Sequence, residues 1–347
     1  MRRVTEWKLS VALPRMAEKV RHSGLDIVRS TAILLVILQH SWSGLDLDVP
    51  SGAFSYWFYA PWMIGVPLFV MLSGALNLRR TQDPGDFLGK RFKRVLIPFL
   101  IWGTGVYILS ALLGKYPQVD SLRSGVGYYF VALLEGGINQ AYWFIYLLLG
   151  LYLITPVLQR AFDPDRPHSR RLLEYCLWLW VGVEICKEIY PSFLLLRYLA
   201  FPADLFLGYY LAGCYIFRYV PQGRMRSRYG LVGFLLSLCL NWILTAKGNP
   251  VGFVQISEAV CLFLYLSSLQ IPLSRPRLGA CVEDLSRYSY LIYLTHIVPV
   301  AALCAALPAP FAWAPPLIMG LVAFLEFVVC RILDRWRSLP SDLIGIG

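Results

Sequence analysis

Runs of apolar residues separated by short polar loops recur along the whole chain. Ten runs are about 17–25 residues long, the length that a helix needs to cross the hydrocarbon core of a bilayer. The pattern therefore predicts an all-α, polytopic membrane bundle of about ten transmembrane helices. The predicted spans lie near residues 25–42, 54–76, 92–113, 142–159, 172–190, 203–218, 229–245, 251–271, 286–306 and 311–331.

The polar segments between and outside these runs give the domain organisation. The stretch 121–139 is too polar and too short for a span, and we expect it to form an interfacial or re-entrant helix. The ten spans make up one membrane domain at 25–333. A cytoplasmic segment at 1–24 precedes this domain, and a short cytoplasmic tail at 334–347 follows it.

Basic residues are distributed unevenly among the loops, and this distribution predicts the orientation of the chain. Of the 32 Lys and Arg residues, 26 lie in the N-terminal segment, every second loop and the tail, and only four lie in the other loops. The remaining two, Arg29 and Lys187, lie within predicted spans. An excess of basic residues marks the cytoplasmic side, so both termini are predicted to be cytoplasmic.

Composition changes this picture little. The chain is 57% hydrophobic and only 15% charged, whereas soluble domains have about 25% charged residues. The net charge of +11 is explained by the cytoplasmic loops and implies no nucleic-acid partner. The eight cysteines form no CxxC pair and mostly lie in apolar segments, so we expect neither a disulfide framework nor a metal site.

The first span carries a polar stripe on an otherwise apolar helix. At about 100° per residue, Arg29 and His40 lie about 20° apart after three turns, roughly 16 Å along the axis. Asp26 precedes Arg29 by three residues and shares its face. Taken singly, Arg29 is explained as a residue whose side chain extends to the cytoplasmic membrane boundary, and His40 as a histidine at the outer membrane interface. Together the three residues indicate a functional site, because polar groups at membrane depth are expensive.

A second set of candidates lies at the predicted cytoplasmic boundary. Arg91 and Arg94 share one face at the start of the third span. They either fix orientation only or form a clamp for phosphates, which arginines bind bidentately. Ser73, beside Gly74, is explained by close helix packing or by a role at the site.

Three further candidates lie closer to the predicted outer side. Trp143 begins the fourth span, where interfacial aromatic residues are common. His296 lies mid-span, one turn after Tyr293 and two turns after Ser289, and these residues form a second polar face. The alternative for His296 is a neutral histidine that is bonded within its own helix.

Two residue pairs and four segments of the chain, taken in their order, resemble a known family. The residues concerned are Arg29 and His40 with ten residues between them, Arg91 and Arg94 with two between them, and the segments PLFVMLSG, RFKRVLIPFLIW, YWFIYLLLGLYLITPVL and SRYSYLIYLTH. The chain resembles the acyltransferase 3 family of ten-helix membrane enzymes, which O-acylate surface polysaccharides. The resemblance covers nearly the whole chain, and its closest branch is the stand-alone surface-polysaccharide acyltransferases.

The resemblance implies an O-acyltransferase, most simply an O-acetyltransferase, in the bacterial inner membrane. Acyl-CoA is then the donor substrate, with no permanently bound cofactor, and a sugar hydroxyl of a polysaccharide or lipid-linked glycan is the acceptor. His40 would be a general base or the acyl acceptor itself. Arg29 would stabilise an oxyanion or hold the pantetheine-phosphate arm, and Asp26 would orient Arg29.

Two other function classes fit the same residues. Buried Arg, His and Glu in a helical bundle also suit a transporter or exporter of glycan intermediates. No inverted repeat is visible in the sequence, which weakens that reading. A non-catalytic partner of polysaccharide-assembly proteins is the third possibility. Acyl-CoA hydrolysis or transfer by the purified protein separates the enzyme from both.

Overall fold

The structure is a computed structural model that describes residues 23–45, 63–117, 119–189, 205–245, 252–272, 274–307, 311, 313–335 and 345. Within these residues it contains twelve α-helices and no strand, which confirms the predicted all-α class. The helices are α1 Ser23–Gly44, α2 Gly65–Asn77, α3 Pro84–Leu112, α4 Leu122–Glu135, α5 Trp143–Ala161, α6 Ser169–Ile189, α7 Leu205–Tyr219, α8 Arg224–Thr245, α9 Gly252–Leu266, α10 Pro276–Thr295, α11 Ile297–Ala306 and α12 Ala314–Arg335.

Each of the ten predicted spans overlaps a helix of the described chain, and the ninth overlaps two. Four segments of the described chain are long and apolar enough to cross a membrane: Pro84–Leu112, Gln140–Ala161, Arg224–Leu244 and Ala314–Arg335. The pair α10 and α11 makes a fifth if it is counted as one span. Ten spans and cytoplasmic termini stay predictions. Residues 54–62 of the second predicted span and most of the two terminal segments lie outside the described residues.

Helix α1 lies in the middle of the bundle. It packs against α2, α9, α10, α11 and α12. Its apolar residues are buried on several sides, among them Val28, Ala32, Ile33 and Ile37, which have no exposed surface. A helix that is apolar around most of its circumference is stable in this position, because its neighbours cover most of its surface. The polar stripe of α1 is therefore surrounded by protein.

The ninth predicted span is interrupted, which corrects the prediction of one continuous helix over 286–306. Helices α10 and α11 meet at His296 at an angle of 64°. Helix α10 also begins ten residues earlier than predicted, at Pro276, where a proline is favoured because its missing N–H would have no partner in the first turn. The break places the His296 side chain at a bend in the bundle interior.

The segment after the third span forms the short helix that the sequence predicted. Helix α4 has 14 residues, too few to cross a bilayer. Four of its five large exposed apolar residues, Leu122, Val126, Phe130 and Leu134, recur every fourth position and form one stripe. Ala132 is its only fully buried residue. An apolar stripe on a short helix suits a position along the membrane surface.

Candidate active site

A cavity of about 470 Å³ lies between α1, α2, α3, α5 and α10. Four arginines line it: Arg29 of α1, Arg91 and Arg94 of α3, and Arg287 of α10. Its lining, taken over the described residues, includes no aspartate or glutamate. A concave site with several guanidinium groups and no lining carboxylate suits a ligand with several negative charges.

A hydroxyl from α10 joins the two charged residues at the start of the α1 stripe. Ser286 Oγ donates a hydrogen bond to Asp26 Oδ1 at 2.7 Å, and it accepts one from Arg29 Nη1 at 3.4 Å. One turn along α1, Ser30 Oγ donates to the carbonyl oxygen of Val282 at 3.0 Å. The polar face of α1 is therefore fastened to α10, and Arg29 is oriented while its side chain lines the cavity.

Arg91 and Arg94 lie about two and three turns into α3, because the helix begins at Pro84 and not at the arginines as the sequence predicted. The local fold is set by Asp83, whose side chain caps the helix by accepting from the Asp86 N–H at 3.1 Å. Arg91 is half-buried, with its guanidinium carbon 5.7 Å from the centre of the Phe87 ring. Arg94 is exposed, and in the described part of the chain neither arginine has an acidic partner. Both guanidinium groups are thus available to an anion.

Ser73 lines the cavity from α2, beside a very close helix contact. A Cβ atom at Gly74 would lie 1.8 Å from the carbonyl oxygen of Tyr210, and one at Gly213 would lie 1.9 Å from that of Met71. Helices α2 and α7 therefore touch backbone to backbone at these two glycines. The packing explanation of Ser73-Gly74 is correct for Gly74, whereas Ser73 faces the cavity.

Two aromatic rings form one wall of the cavity. The rings of Tyr293 and Phe144 both line it and meet edge to face at 5.5 Å. The Tyr293 hydroxyl donates to the carbonyl oxygen of Ala141, and the Tyr142 hydroxyl donates to that of Leu294 at 2.7 Å. These two bonds fasten the end of α10 to the turn before α5. Tyr293 is thereby fixed between the cavity and the bend at His296.

The two histidines form a pair beyond this wall. The rings of His40 and His296 lie 5.2 Å apart, and the Tyr293 ring is 5.9 Å from that of His296. Neither histidine belongs to the cavity lining. The predicted site is therefore divided into a cavity with Arg29, Ser73, Arg91, Arg94 and Tyr293, and a separate pair formed by His40 and His296.

The hydrogen bonds of His296 fix its tautomer. Its Nδ1 lies 2.8 Å from the carbonyl oxygen of Tyr293 and 3.1 Å from that of Ile292. Carbonyl oxygens only accept, so Nδ1 carries the proton and Nε2 is left as an acceptor. Nε2 is buried and has no hydrogen-bond partner in the described structure. The alternative explanation of His296 was a neutral histidine bonded within its own helix. That explanation accounts for the contacts of Nδ1, but it leaves Nε2 without a role.

Trp143 is placed apart from the other candidates. It is 44% exposed at the start of α5, and its ring contacts Phe206 at 5.4 Å and Phe144 at 6.4 Å. It does not line the cavity. The sequence grouped it with the site because of its position at a helix end, but its side chain points to the outside of the bundle.

The sequence reasoning missed Ser286 and Arg287 as site residues. Arg287 was counted only among the basic residues of a cytoplasmic loop, because it lies at the very start of the predicted span 286–306. Ser286 lies one turn before Ser289 on the polar face of Tyr293 and His296. Extending that face by one turn would have identified the serine, whereas the arginine needed the tertiary structure.

Comparison with known proteins agrees with the resemblance read from the motifs. A family model of the acyltransferase 3 family, described as an acyltransferase domain, matches residues 22–335. No curated protein and no solved structure gives a significant match. The match runs from the start of α1 to the end of α12 and includes every residue of the cavity except Gly345. The chain therefore belongs to the acyltransferase 3 family and is a membrane acyltransferase.

Proposed function

We propose that the protein transfers an acyl group, most simply acetyl, from cytoplasmic acyl-CoA to a sugar hydroxyl of a surface polysaccharide or its lipid-linked precursor. The proposal places the enzyme in the inner membrane of a bacterium. Family membership supports the transferase class. The donor is supported by the cavity, and the acceptor by the family resemblance alone.

The observation that carries the donor assignment is the charge of the cavity. Coenzyme A has a diphosphate and a 3′-phosphate, and a phosphomonoester alone carries about −1.5 to −2 charges near pH 7. Four arginines line the cavity without a lining carboxylate. Arg91 and Arg94 lie in the N-terminal part of α3, which the distribution of basic residues assigns to the cytoplasmic side. Acyl-CoA is made in that compartment, so the donor and the cavity would be on the same side.

The pantetheine arm and acyl group would then extend from the arginines toward Tyr293 and the histidines. In a direct transfer, His40 removes the proton of the sugar hydroxyl while that oxygen attacks the thioester carbonyl. The carbon–sulfur bond breaks, and the proton passes to the leaving thiolate. In a two-step transfer, the unprotonated His40 nitrogen attacks the thioester carbonyl, and the thiolate leaves with the proton of the other His40 nitrogen. The sugar hydroxyl then attacks the acyl-histidine, the carbon–nitrogen bond breaks, and the hydroxyl proton returns to His40. Arg29 would stabilise the oxyanion or hold the phosphate arm.

The test measures thioester cleavage and acyl transfer by the purified protein in lipid nanodiscs. Double substitution of Arg91 and Arg94 by glutamine should raise the apparent KM for acetyl-CoA. A hydrogen bond to a charged group is worth about 1.5–3 kcal/mol, which corresponds to roughly ten- to a hundredfold for each lost contact. The lysine pair keeps the charge but loses the bidentate geometry, so we expect it to insert correctly and bind acetyl-CoA poorly.

A matched control removes two charges from the same turns of α3. Lys90 and Lys93 are exposed and do not line the cavity. Their double glutamine variant should leave the KM unchanged, although it loses as much positive-inside charge as the arginine pair. Equal KM values for all variants would leave the arginines with a topological role only. A protein that neither cleaves nor transfers acetyl-CoA would favour the transporter class. Mass spectrometry of surface glycan from a deletion strain identifies the acceptor.

A further inference from the structure

We propose that Arg287 binds a phosphate group of the donor and is held in place for this by Asp334 and Tyr288. The proposal rests on the proposed function, because it concerns the same acyl-CoA. It adds a phosphate-binding residue from α10 to the two arginines of α3.

The position of Arg287 is the first argument. Arg287 lines the same cavity as Arg29, Arg91 and Arg94, but from α10 instead of α1 or α3. It follows Ser286, which bonds both Asp26 and Arg29. A ligand that spans the cavity from α3 would therefore meet basic side chains on both sides. The diphosphate and the 3′-phosphate of coenzyme A are separated by a ribose, so they require donors at more than one place.

The way in which Arg287 is held is the second argument. Its Nη2 donates to Asp334 Oδ2, and also to the Tyr288 hydroxyl at 3.0 Å. The Tyr288 hydroxyl in turn donates to Asp334 Oδ2 at 3.1 Å, and the guanidinium lies 5.0 Å from the centre of the Tyr288 ring. These contacts use only one of the three nitrogens of the guanidinium. The group is therefore oriented before any ligand arrives.

The remaining donors of Arg287 are the third argument. Its Nε–H is buried and has no hydrogen-bond partner in the described structure. A buried donor without a partner destabilises the fold, so such a group is expected to serve a ligand or a bound water. The Nε–H and the Nη1 group together leave three N–H bonds free for an anion. A phosphate bound there would satisfy them without breaking the pair with Asp334.

A second ion pair between the same two helices provides the comparison. Arg331 Nη2 of α12 donates to Asp284 Oδ2 of α10 at 2.9 Å, and its guanidinium lies 5.5 Å from the centre of the Phe327 ring. It thus repeats the ion pair and the ring contact of Arg287, without the hydrogen bonds that the Tyr288 hydroxyl adds. Arg331 does not line the cavity, however. If Arg287 only joined α10 to α12, its loss and the loss of Arg331 would have the same effect.

The experiment compares three donors: acetyl-CoA, acetyl-3′-dephospho-CoA and acetyl-pantetheine. Acetyl-3′-dephospho-CoA lacks only the 3′-phosphate, and acetyl-pantetheine has no phosphate group. Arg287→Gln should raise the KM for acetyl-CoA roughly ten- to a hundredfold and leave that for acetyl-pantetheine unchanged. Arg331→Gln should change neither KM. Arg287→Lys should recover part of the loss, and it carries the test if the glutamine variant is poorly folded by size-exclusion chromatography. The dephosphorylated donor then identifies the phosphate: insensitivity of its KM to Arg287→Gln assigns Arg287 to the 3′-phosphate, and sensitivity assigns it to the diphosphate.

The outcomes separate this proposal from the proposed function. If the wild-type protein prefers acetyl-CoA to acetyl-pantetheine and Arg287→Gln keeps the full preference, Arg287 binds no phosphate. The same conclusion follows if Arg287→Gln raises the KM equally for both donors, because the role is then structural. If the wild-type protein shows no preference or no transfer, both the proposed donor site and the role of Arg287 are wrong.

Discussion

His296 brings an unsatisfied acceptor to within reach of His40. Its Nδ1 proton is committed to two carbonyl oxygens, so its Nε2 lone pair is the only polar contact that it offers to a neighbour. The His40 ring is 5.2 Å away. The described structure has no hydrogen bond between the two rings. A turn of the His40 ring that lets one of its nitrogens donate to this lone pair would leave the other His40 nitrogen unprotonated. That second nitrogen would be the base or the nucleophile of the proposed reaction.

The first prediction concerns His40 itself. His40→Ala should lower acetyl transfer by about two to four orders of magnitude, the usual range for a general base, while the protein still inserts and purifies as a monodisperse species. The control is His168→Ala, which removes an exposed loop histidine. Transfer rates in nanodiscs are the measurement. An active His40→Ala protein would refute the assignment of His40 to the chemistry.

The second prediction concerns the hydroxyl that joins Asp26 to Arg29. Ser286→Ala removes one hydrogen bond to each charged group. At about 1.5–3 kcal/mol per such bond, kcat/KM should fall by roughly ten- to a hundredfold. Ser257→Ala is the control, because within the described residues that hydroxyl bonds only to the Phe253 carbonyl of its own helix. Unchanged kinetics for Ser286→Ala would mean that Arg29 is oriented by other contacts.

At the scale of helices, the local hydropathy pattern predicts where the helices lie. Their exact ends, their bends and the roles of their side chains depend on tertiary contacts. The ten apolar runs each overlap a helix of the described chain because hydropathy and length are local properties. Helix α3 nevertheless begins at Pro84 instead of 92, because its polar first turns lie outside the apolar run that was used to find it. The bend at His296 has no signal in the apolar pattern. The role of Arg287 depends on contacts with α12, so its sequence neighbours do not reveal it.

The third prediction tests the contact between α2 and α7. Gly74→Ala and Gly213→Ala each place a methyl group within 2 Å of a backbone carbonyl oxygen, and a backbone cannot move aside as a flexible side chain can. We expect each variant to lose about 1–3 kcal/mol of its free energy of unfolding, the usual cost of overpacking. The measurement is thermal unfolding in detergent, followed by size-exclusion chromatography.

The control for this contact is a helical glycine in open space. A Cβ atom at Gly150 of α5 would meet no atom within 4 Å. Gly150→Ala should therefore keep or slightly raise the unfolding temperature, since alanine is the better helix former. If Gly74→Ala were as stable as Gly150→Ala, the backbone contact between α2 and α7 would not exist in the membrane.

For the whole molecule, the charge of the loops and the position of the cavity together predict how the chain is oriented in the membrane. Three of the four arginines of the cavity, Arg91, Arg94 and Arg287, belong to the 26 of the 32 basic residues that the loop pattern assigns to the cytoplasmic side. A reporter fused after Gln82, or at the C-terminus, should therefore report the cytoplasm. One fused after Asp48, or within 307–314, should report the opposite side. Alkaline phosphatase and green fluorescent protein fusions distinguish the two sides.

The fusion within 307–314 is the most informative, because of the bend between α10 and α11. If the two helices form one broken span, this loop is extracytoplasmic, and α12 returns the chain to the cytoplasm. If they form a re-entrant loop, residues 307–314 remain on the cytoplasmic side, and α12 carries the C-terminus outward. The basic residues Arg331 and Arg335 at the end of α12 favour the broken span. A cytoplasmic signal from 307–314 combined with an external C-terminus would reduce the count to nine spans and overturn the positive-inside assignment for this end of the chain.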